Sequence, residues 1–227
     1  FSNVRIRRFG FPNKLLNLFF YFLAWPKIDR LLGGVDIFFL PNINFAPVSR
    51  DCRLLLTVHD LSFERWPETF SWKRRLWHFL VNPRRLCRRA DRIWAVSGST
   101  AEDLISLYQV QPEKIEIVYS PFDYYYFAER KEDILGKAEQ IRKKYSLPNR
   151  FVLSLSTLEP RKNLVSLIRA FELWQAEAAT PREKELCLVL AGGKGWLWKE
   201  IFSAIERSPV KNKIFPIGFV EKEEKKI

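Results

Sequence analysis

The chain has 227 residues, of which 47% are hydrophobic and 15% aromatic, and its formal net charge is +12. This apolar content excludes a disordered chain, because enough surface can be buried to offset the entropy lost on folding. Three scattered cysteines (Cys52, Cys87 and Cys187) exclude a disulfide framework and a cysteine zinc site, so a reducing compartment is the default. The chain starts at Phe1 and contains no methionine. We therefore expect a segment of a longer reading frame.

The most apolar segment runs from Leu15 to Trp25. It is about half as long as the roughly 20 residues that a membrane-spanning helix needs. Pro26 and Lys27 follow it, where a signal peptide would have small residues before its cleavage site. Three interpretations remain open: a buried helix, a surface that docks on a membrane, and a signal or spanning segment.

Residues 73–92 carry eight basic side chains and one acidic side chain, interleaved with tryptophan, phenylalanine and leucine. Such a stretch is typical of a protein that contacts an anionic membrane, because the apolar side chains enter the interface while arginine meets lipid phosphates. It also suits a nucleic acid backbone or an ordinary solvated helix face. His78 is expected at the surface or at its boundary. The side chains expected to face a membrane are Trp72, Trp77, Arg84, Arg85, Arg88 and Arg89.

Short apolar runs alternate with helical patterns in the first half of the chain. Ser99 and Glu102 have the spacing of a capping box and predict that a helix starts there. Strand, helix and strand at these distances predict right-handed βαβ units and a largely parallel sheet. Buried strands are predicted over residues 35–41, 53–60, 91–97 and 114–120.

The pattern breaks over residues 121–149, where we predict a linker that leads into a charged amphipathic helix. A second α/β series follows. We therefore predict two domains, residues 1–122 and residues 123–227, the first truncated at its start and the second at its end. In the second domain, strands are predicted over 151–157, 186–193 and 213–219, and helices over 163–178 and 196–206.

Ligands of open parallel sheets bind beyond the carboxyl ends of the strands, and His59 follows a predicted strand there. A histidine at this position can act as a base, a hydrogen-bond donor or a phosphate partner. It can equally be a structural residue that ties two loops together.

A second candidate site is the turn over residues 158–163, where Arg161 and Lys162 precede a predicted helix. Two cations and free backbone N–H groups favour an anion such as a diphosphate. A solvated basic turn is the alternative. Gly192 and Gly193 end the next strand and would let a ligand approach the backbone closely, although they lack the spacing of a Walker loop.

Six segments carry a further pattern when they are taken in chain order. They are T-V-H-D-L-S-F (57–63), R-A-D-R-I-W-A-V-S (89–97), K-I-E-I-V-Y (114–119), S-T-L-E-P-R-K-N-L (156–164), L-V-L-A-G-G-K-G-W (188–196) and I-G-F-V (217–220). Together these residues resemble glycosyltransferase family 4, whose members are retaining sugar-nucleotide transferases with the GT-B fold.

This resemblance implies an α/β protein of GT-B type, with two Rossmann-like parallel-sheet domains that face a cleft, both incomplete here. His59 matches the family histidine that lines the sugar and phosphate end of that cleft, and Lys162 matches the residue that binds the donor diphosphate. Many members carry arginine where this chain has Thr157, and we hypothesise that Arg161 replaces it. The family's glycine-rich loop and E-x7-E segment are expected outside this chain, so we expect the fragment alone to be inactive.

The resemblance also implies a hexosyltransferase that moves a sugar from a nucleotide-sugar to a glycan or lipid-linked acceptor in cell-surface polysaccharide synthesis. The TLEPRKN form favours GDP-mannose as the donor. No DxD-type carboxylate pair occurs, and the resemblance implies neither a metal nor a cofactor. A cytoplasmic protein at the inner membrane face is expected, with an anionic membrane surface but no nucleic acid as a partner. The alternatives are a basic nucleic-acid-binding α/β module and a GT-B-like epimerase or pseudoenzyme.

Overall fold

The computed structural model describes residues 3–121 and 131–225. The chain divides into two compact units. The first, called the N-unit below, comprises Phe1–Pro67 and Trp72–Pro121, and the second, the C-unit, comprises Glu68–Ser71 and Phe122–Ile227. Residues 122–130 of the predicted linker lie outside the described residues, and the charged helix predicted after it is described from Lys131 to Lys144.

The N-unit contains a four-stranded parallel sheet in the order β1-β2-β3-β4. Its core includes side chains from β2, β3 and the helix that follows β3, among them Leu56, Ile93 and Leu104, which are fully buried. The predicted parallel sheet is thus confirmed. The strands are β1 (Ile37–Leu40), β2 (Arg53–Val58), β3 (Arg92–Ala95) and β4 (Ile115–Ile117).

Six helices accompany this sheet in the described part of the N-unit. The last of them begins after Ser97, whose side chain accepts a hydrogen bond from the N–H of Thr100 at 3.1 Å. The capping box predicted at Ser99 is therefore wrong, because Ser97, extended directly after β3, already caps the helix. The helices are α1 (Asn13–Leu23), α2 (Ile28–Leu31), α3 (Ser62–Arg65), α4 (Trp72–Val81), α5 (Pro83–Arg89) and α6 (Gly98–Tyr108).

Helix α1 is apolar but not buried. None of its residues is buried by the described part of the chain, and the N-unit core forms without it. The interpretation of this segment as a buried helix is therefore wrong. Over residues 3–121 and 131–225, no helix is both long enough and apolar enough to cross a membrane.

The C-unit contains a three-stranded parallel sheet in the order β5-β6-β7. All five residues of the central strand are buried, as its continuous apolar run requires. The strands are β5 (Phe151–Leu155), β6 (Cys187–Ala191) and β7 (Ile214–Gly218), and the helices are α7 (Lys131–Lys144), α8 (Leu164–Glu177), α9 (Pro181–Lys184) and α10 (Lys199–Arg207).

Candidate functional site

Two loops of the C-unit are paired beyond the carboxyl ends of β5 and β6. The N–H of Leu158 donates to the carbonyl of Gly193 at 2.9 Å, and the N–H of Gly195 donates back to the carbonyl of Leu158 at 3.0 Å. Leu158 itself is buried. The predicted anion-binding turn and the predicted glycine loop therefore lie side by side, as expected for loops that leave neighbouring parallel strands.

The two glycines of this loop differ in whether the surrounding structure requires glycine at their positions. Gly192 has a φ of +149°, and a Cβ atom at this position would lie 1.9 Å from the carbonyl oxygen of Ser156. At Gly193 a Cβ atom would approach only the Phe219 ring, at 3.8 Å. The close packing of two loop backbones thus requires glycine at position 192, whereas the protein's own packing makes no such demand at position 193.

A 3-10 turn over Pro160–Lys162 connects the paired loop to α8. The N–H of Lys162 donates to the carbonyl of Glu159 at 3.1 Å, and the N–H of Asn163 donates to the carbonyl of Pro160 at 2.8 Å. Asn163 then takes a left-handed conformation at the start of the helix. This path leaves the side chain of Lys162 exposed at the N-terminus of α8.

Glu159 is a site residue to which the sequence analysis assigned no role. Its side chain is 4% exposed, and its Oε1 atom accepts from both Nε and Nη2 of Arg161, at 3.1 and 3.0 Å. This ion pair compensates much of the Arg161 charge. Lys162 has no ion pair within the described chain, so it is the cation of this turn that remains available for an anion. The sequence feature that could have indicated this ion pair is the spacing of the two charges, since Glu159 lies two residues before Arg161 in the same turn.

Two other side chains complete the surface of the paired loops. Thr157 is exposed and packs beside Gly195, where a Cβ atom would lie 2.9 Å from its methyl carbon Cγ2. The ammonium of Lys194 lies 4.1 Å from the ring centre of Trp198. A cation over an aromatic face is held without losing its charge, so Lys194 adds positive charge to the second loop.

His59 lies exposed at the carboxyl end of β2 in the N-unit. Its Nε2 atom is 3.1 Å from the carbonyl oxygen of Pro41, which follows β1. A carbonyl only accepts hydrogen bonds, so Nε2 carries the proton and Nδ1 is the acceptor of the neutral ring. The side chain therefore ties two loops together and still presents one nitrogen to a ligand.

The four arginines expected to face a membrane have different partners. Arg84 donates to the carbonyl of Leu107 at 2.7 Å, and Arg88 donates to the carbonyl of Tyr108 at 3.0 Å, so both bind the C-terminal end of α6. Arg89 donates to the carbonyls of Ser49 and Cys52, at 2.9 and 3.0 Å. Arg85 is the one of the four whose side chain has no partner among the residues described.

Helix α4 has an exposed apolar stripe. Trp72, Leu76 and Phe79 follow each other at helical spacing, and Trp72 and Phe79 are 69% and 77% exposed. Trp77 lies outside the stripe because it packs against the N-unit core, so its assignment to an exposed surface is wrong. His78 stacks on Phe63, with ring centres 3.9 Å apart, and burial lowers the pKa of its imidazole. The side chain is half-buried, so His78 lies at the boundary of the surface, which is one of the two positions expected for it.

Metal-ligand geometry is not found in the described residues, which contain no group of three or more histidine, cysteine, aspartate or glutamate side chains able to hold a metal ion.

The sequence profile of Glycosyltransferase Family 4 matches residues 2–124. The chain belongs to Glycosyltransferase Family 4. It is 36% identical over 102 residues to the serotype-specific mannosyltransferase WbdA of Escherichia coli, covering 44% of this chain and 12% of that protein. A second Family 4 comparison extends over more of the chain. The N-acetylgalactosamine-N,N'-diacetylbacillosaminyl-diphospho-undecaprenol 4-alpha-N-acetylgalactosaminyltransferase of Campylobacter jejuni is 27% identical over 214 residues, covering 91% of this chain and 52% of that protein.

Solved structures agree with the fold of this family member. The Anabaena protein Alr3699/HepE in complex with UDP-glucose matches 87% of this chain and 52% of its own, with a TM-score of 0.58 and 20% identity. A glycosyltransferase from Rickettsia africae matches 97% of this chain and 55% of its own, with a TM-score of 0.57 and 16% identity. At these identities the likeness shows the fold alone, and it confirms the predicted α/β architecture of GT-B type. The chain spans about half the length of these structures.

Proposed function

We propose that the protein to which this chain belongs is a retaining glycosyltransferase that moves a hexose from a nucleotide-sugar to a glycan or lipid-linked acceptor in polysaccharide synthesis. One observation carries this proposal: in a Family 4 chain, the uncompensated cation Lys162 lies at the N-terminus of α8, beside two paired loops beyond the strand ends. A nucleotide diphosphate is the ligand that this chemistry suits best.

The chemistry follows from the charges. Negative charge develops on the diphosphate as the bond between sugar and phosphate breaks, and donors that are already in position stabilise it. Lys162 supplies a point charge, and the free N–H groups of α8 supply the dipole. In the N-unit, we assign to His59 the contact with the transferring sugar, whose hydroxyl would donate to its Nδ1 atom.

The donor is proposed to be GDP-mannose. The names of the Escherichia coli relatives, which are mannosyltransferases, support mannose. The Anabaena structure holds UDP-glucose, which supports a nucleoside diphosphate sugar as the general class. A competition between GDP-mannose and UDP-glucose for the intact protein decides between the two donors.

The acceptor is proposed to be carried at the inner face of the membrane, with the protein bound there from the cytoplasm. The Campylobacter jejuni relative is named for a diphospho-undecaprenol substrate, and the α4 stripe offers exposed tryptophan and phenylalanine next to basic residues. Flotation with phosphatidylglycerol vesicles tests this point: Trp72→Ser is expected to weaken binding, and unchanged flotation would contradict it.

Calorimetric titration of the intact protein with GDP-mannose tests the donor site. Lys162→Ala is expected to weaken binding at least about tenfold, because a charge-assisted contact is lost. Arg161→Ala should have a smaller effect, since Glu159 compensates its charge. Lys199→Ala, which removes an exposed lysine near the start of α10, is the control. Unchanged binding in both Lys162→Ala and Arg161→Ala would remove the site.

A further inference from the structure

The N-unit contains a groove that the proposed donor chemistry does not use. It has a volume of about 1380 Å³ and is lined by α1, by the loop over residues 44–50, and by α3, α4 and α5. Neither His59 nor the paired loops of the C-unit contribute to its lining. Compact ligands occupy pockets of about 300–1,000 Å³, so this groove suits a longer molecule.

One wall of the groove is aromatic. Tyr21 and Phe22 of α1 meet edge to face, with ring centres 4.8 Å apart, and Phe79 of α4 contributes a further ring. Phe22 is 69% exposed and Phe79 is 77% exposed. These rings leave a large apolar surface in water, and covering it is favourable at roughly 25 cal/mol per Å². The wall therefore favours an apolar chain.

The charged residues of the lining are almost all basic. Glu64 is the single carboxylate of the lining, and it accepts a hydrogen bond from the hydroxyl of Tyr108 at 2.7 Å. Arg84 is fixed by a backbone carbonyl, which satisfies a donor without cancelling its charge, whereas Arg89 also forms an ion pair with Asp91 at 3.1 Å. The side chains of two further cations, Arg75 and Arg85, have no partner in the described chain. The cationic lining residues are Lys27, Arg50, Arg75, Arg84, Arg85 and Arg89.

We propose that this groove binds a lipid whose long apolar chain carries a phosphate or diphosphate head. The chain lies along the aromatic wall, and the head binds Arg75 and Arg85, whose guanidinium groups can each fork onto two phosphate oxygens. A sugar nucleotide would leave the aromatic wall in water. This inference rests on the proposed function, because such a lipid is the carrier of the acceptor, and it names the place where the carrier binds.

Calorimetric titration of the intact protein with farnesyl diphosphate tests the groove without a membrane. Farnesol supplies the chain without the anion, and inorganic diphosphate supplies the anion without the chain. We expect farnesyl diphosphate to bind at least about tenfold more tightly than either probe, since both halves of the groove are then filled. Binding should persist in Lys162→Ala and in the presence of saturating GDP-mannose.

Matched variants locate the bound lipid. Arg85→Ala and Phe22→Ser are each expected to weaken farnesyl diphosphate about tenfold. Arg53→Ala and Leu23→Ser remove an exposed arginine and an exposed apolar side chain of the same unit that do not line the groove, so they should leave binding unchanged. Circular dichroism of all four variants shows whether the fold is retained.

The proposal is overturned if inorganic diphosphate binds as tightly as farnesyl diphosphate, or if groove and control variants behave alike. It is also overturned if Lys162→Ala abolishes binding, because the lipid would then occupy the donor site, or if a single-stranded oligonucleotide displaces it, because the groove would then serve nucleic acid. The affinity for GDP-mannose, measured on the same preparations, tests the proposed function separately.

Discussion

The carboxylate of Glu159 holds the guanidinium of Arg161, with two of its nitrogens 3.0 and 3.1 Å from the same oxygen atom. The acid is buried and the base is one-third exposed. Such a pair fixes the turn that precedes α8 and decides which of its two neighbouring cations remains available for a ligand. The hypothesis that Arg161 replaces the family arginine at Thr157 stays a prediction, and this pair opposes it.

A double-mutant cycle of Glu159→Gln and Arg161→Gln measures this ion pair. Urea unfolding of the two single variants and the double variant should give a coupling energy of about 0.5–2 kcal/mol, reduced from that of a buried pair because solvent reaches Arg161. A coupling energy near zero would mean that the pair does not stabilise the turn. The cycle of Lys162→Ala with Glu159→Gln serves as the control, since no contact joins these side chains.

Gly192→Ala is expected to destabilise the C-unit by at least about 2 kcal/mol. The added methyl group would lie 1.9 Å from a backbone oxygen, and the residue's φ of +149° is strained for any side chain. Gly193→Ala, with 3.8 Å of clearance, is the matched control and should change stability little. Thermal unfolding of the two variants compares them directly, and equal melting temperatures would contradict the close approach of the two loops.

Arg88→Ala is expected to lower the free energy of unfolding by about 1 kcal/mol, because the last carbonyls of α6 lose a charged partner. Arg85→Ala removes the same charge from the same helix, but no carbonyl contact is lost, so stability should stay within about 0.5 kcal/mol of the parent. Urea unfolding distinguishes them. If both variants lose equal stability, the contact of Arg88 with the last carbonyls of α6 does not stabilise the protein.

The stability of the N-unit is expected to fall as the pH drops through about 6.5, the ordinary pKa of histidine. Burial lowers the pKa of His78 in the folded state, and it outweighs a backbone hydrogen bond to Arg74, which raises the pKa. The charge of Arg74 also lowers the pKa, whereas the charges of Asp60 and Glu64 raise it. The unfolded chain then binds the proton first, so acid favours unfolding. The contribution of the neutral His78 ring to the free energy of unfolding is complete above about pH 6.5, and it is lost progressively below that pH.

Two substitutions test this assignment, because the chain contains two histidines. His78→Phe keeps an aromatic ring against Phe63 and should remove the loss of stability between about pH 6.5 and 5. His59→Phe, at the exposed histidine, should retain it. Melting temperatures measured across this range decide the matter, and a pH dependence that persists in His78→Phe would contradict the assignment.

The parallel sheets could be predicted from the sequence because strands that are covered on both faces appear as continuous apolar runs, as in the strand Cys187–Ala191. The glycosyltransferase resemblance could be recognised for a related reason, since its motifs lie directly after such strands. Both signals are local in sequence. The type and order of the helices and strands could therefore be predicted from the sequence. The burial of their side chains and the partners that these side chains contact could not.

The surroundings of α1, Trp77 and Arg88 could not be predicted. Arg88 bonds to a carbonyl 20 residues away, and a local pattern carries no information about such a partner. Trp72 and Trp77 lie on one helix, yet one is exposed and the other packs on the core, because five residues rotate a helix to a different face. The burial of an apolar helix likewise depends on which neighbours the fold supplies.

The two hydrogen bonds between Leu158 and the Gly193–Gly195 segment extend the pairing of β5 with β6 by one step past the strand ends. The turn that carries Lys162 therefore starts from a point already fixed by main-chain atoms, and the proposed donor would bind there without having to order this part of the loop. In the proposed donor site, the side chains of Thr157 and Arg161 can therefore be replaced while this backbone path is kept, because neither side chain takes part in the two hydrogen bonds.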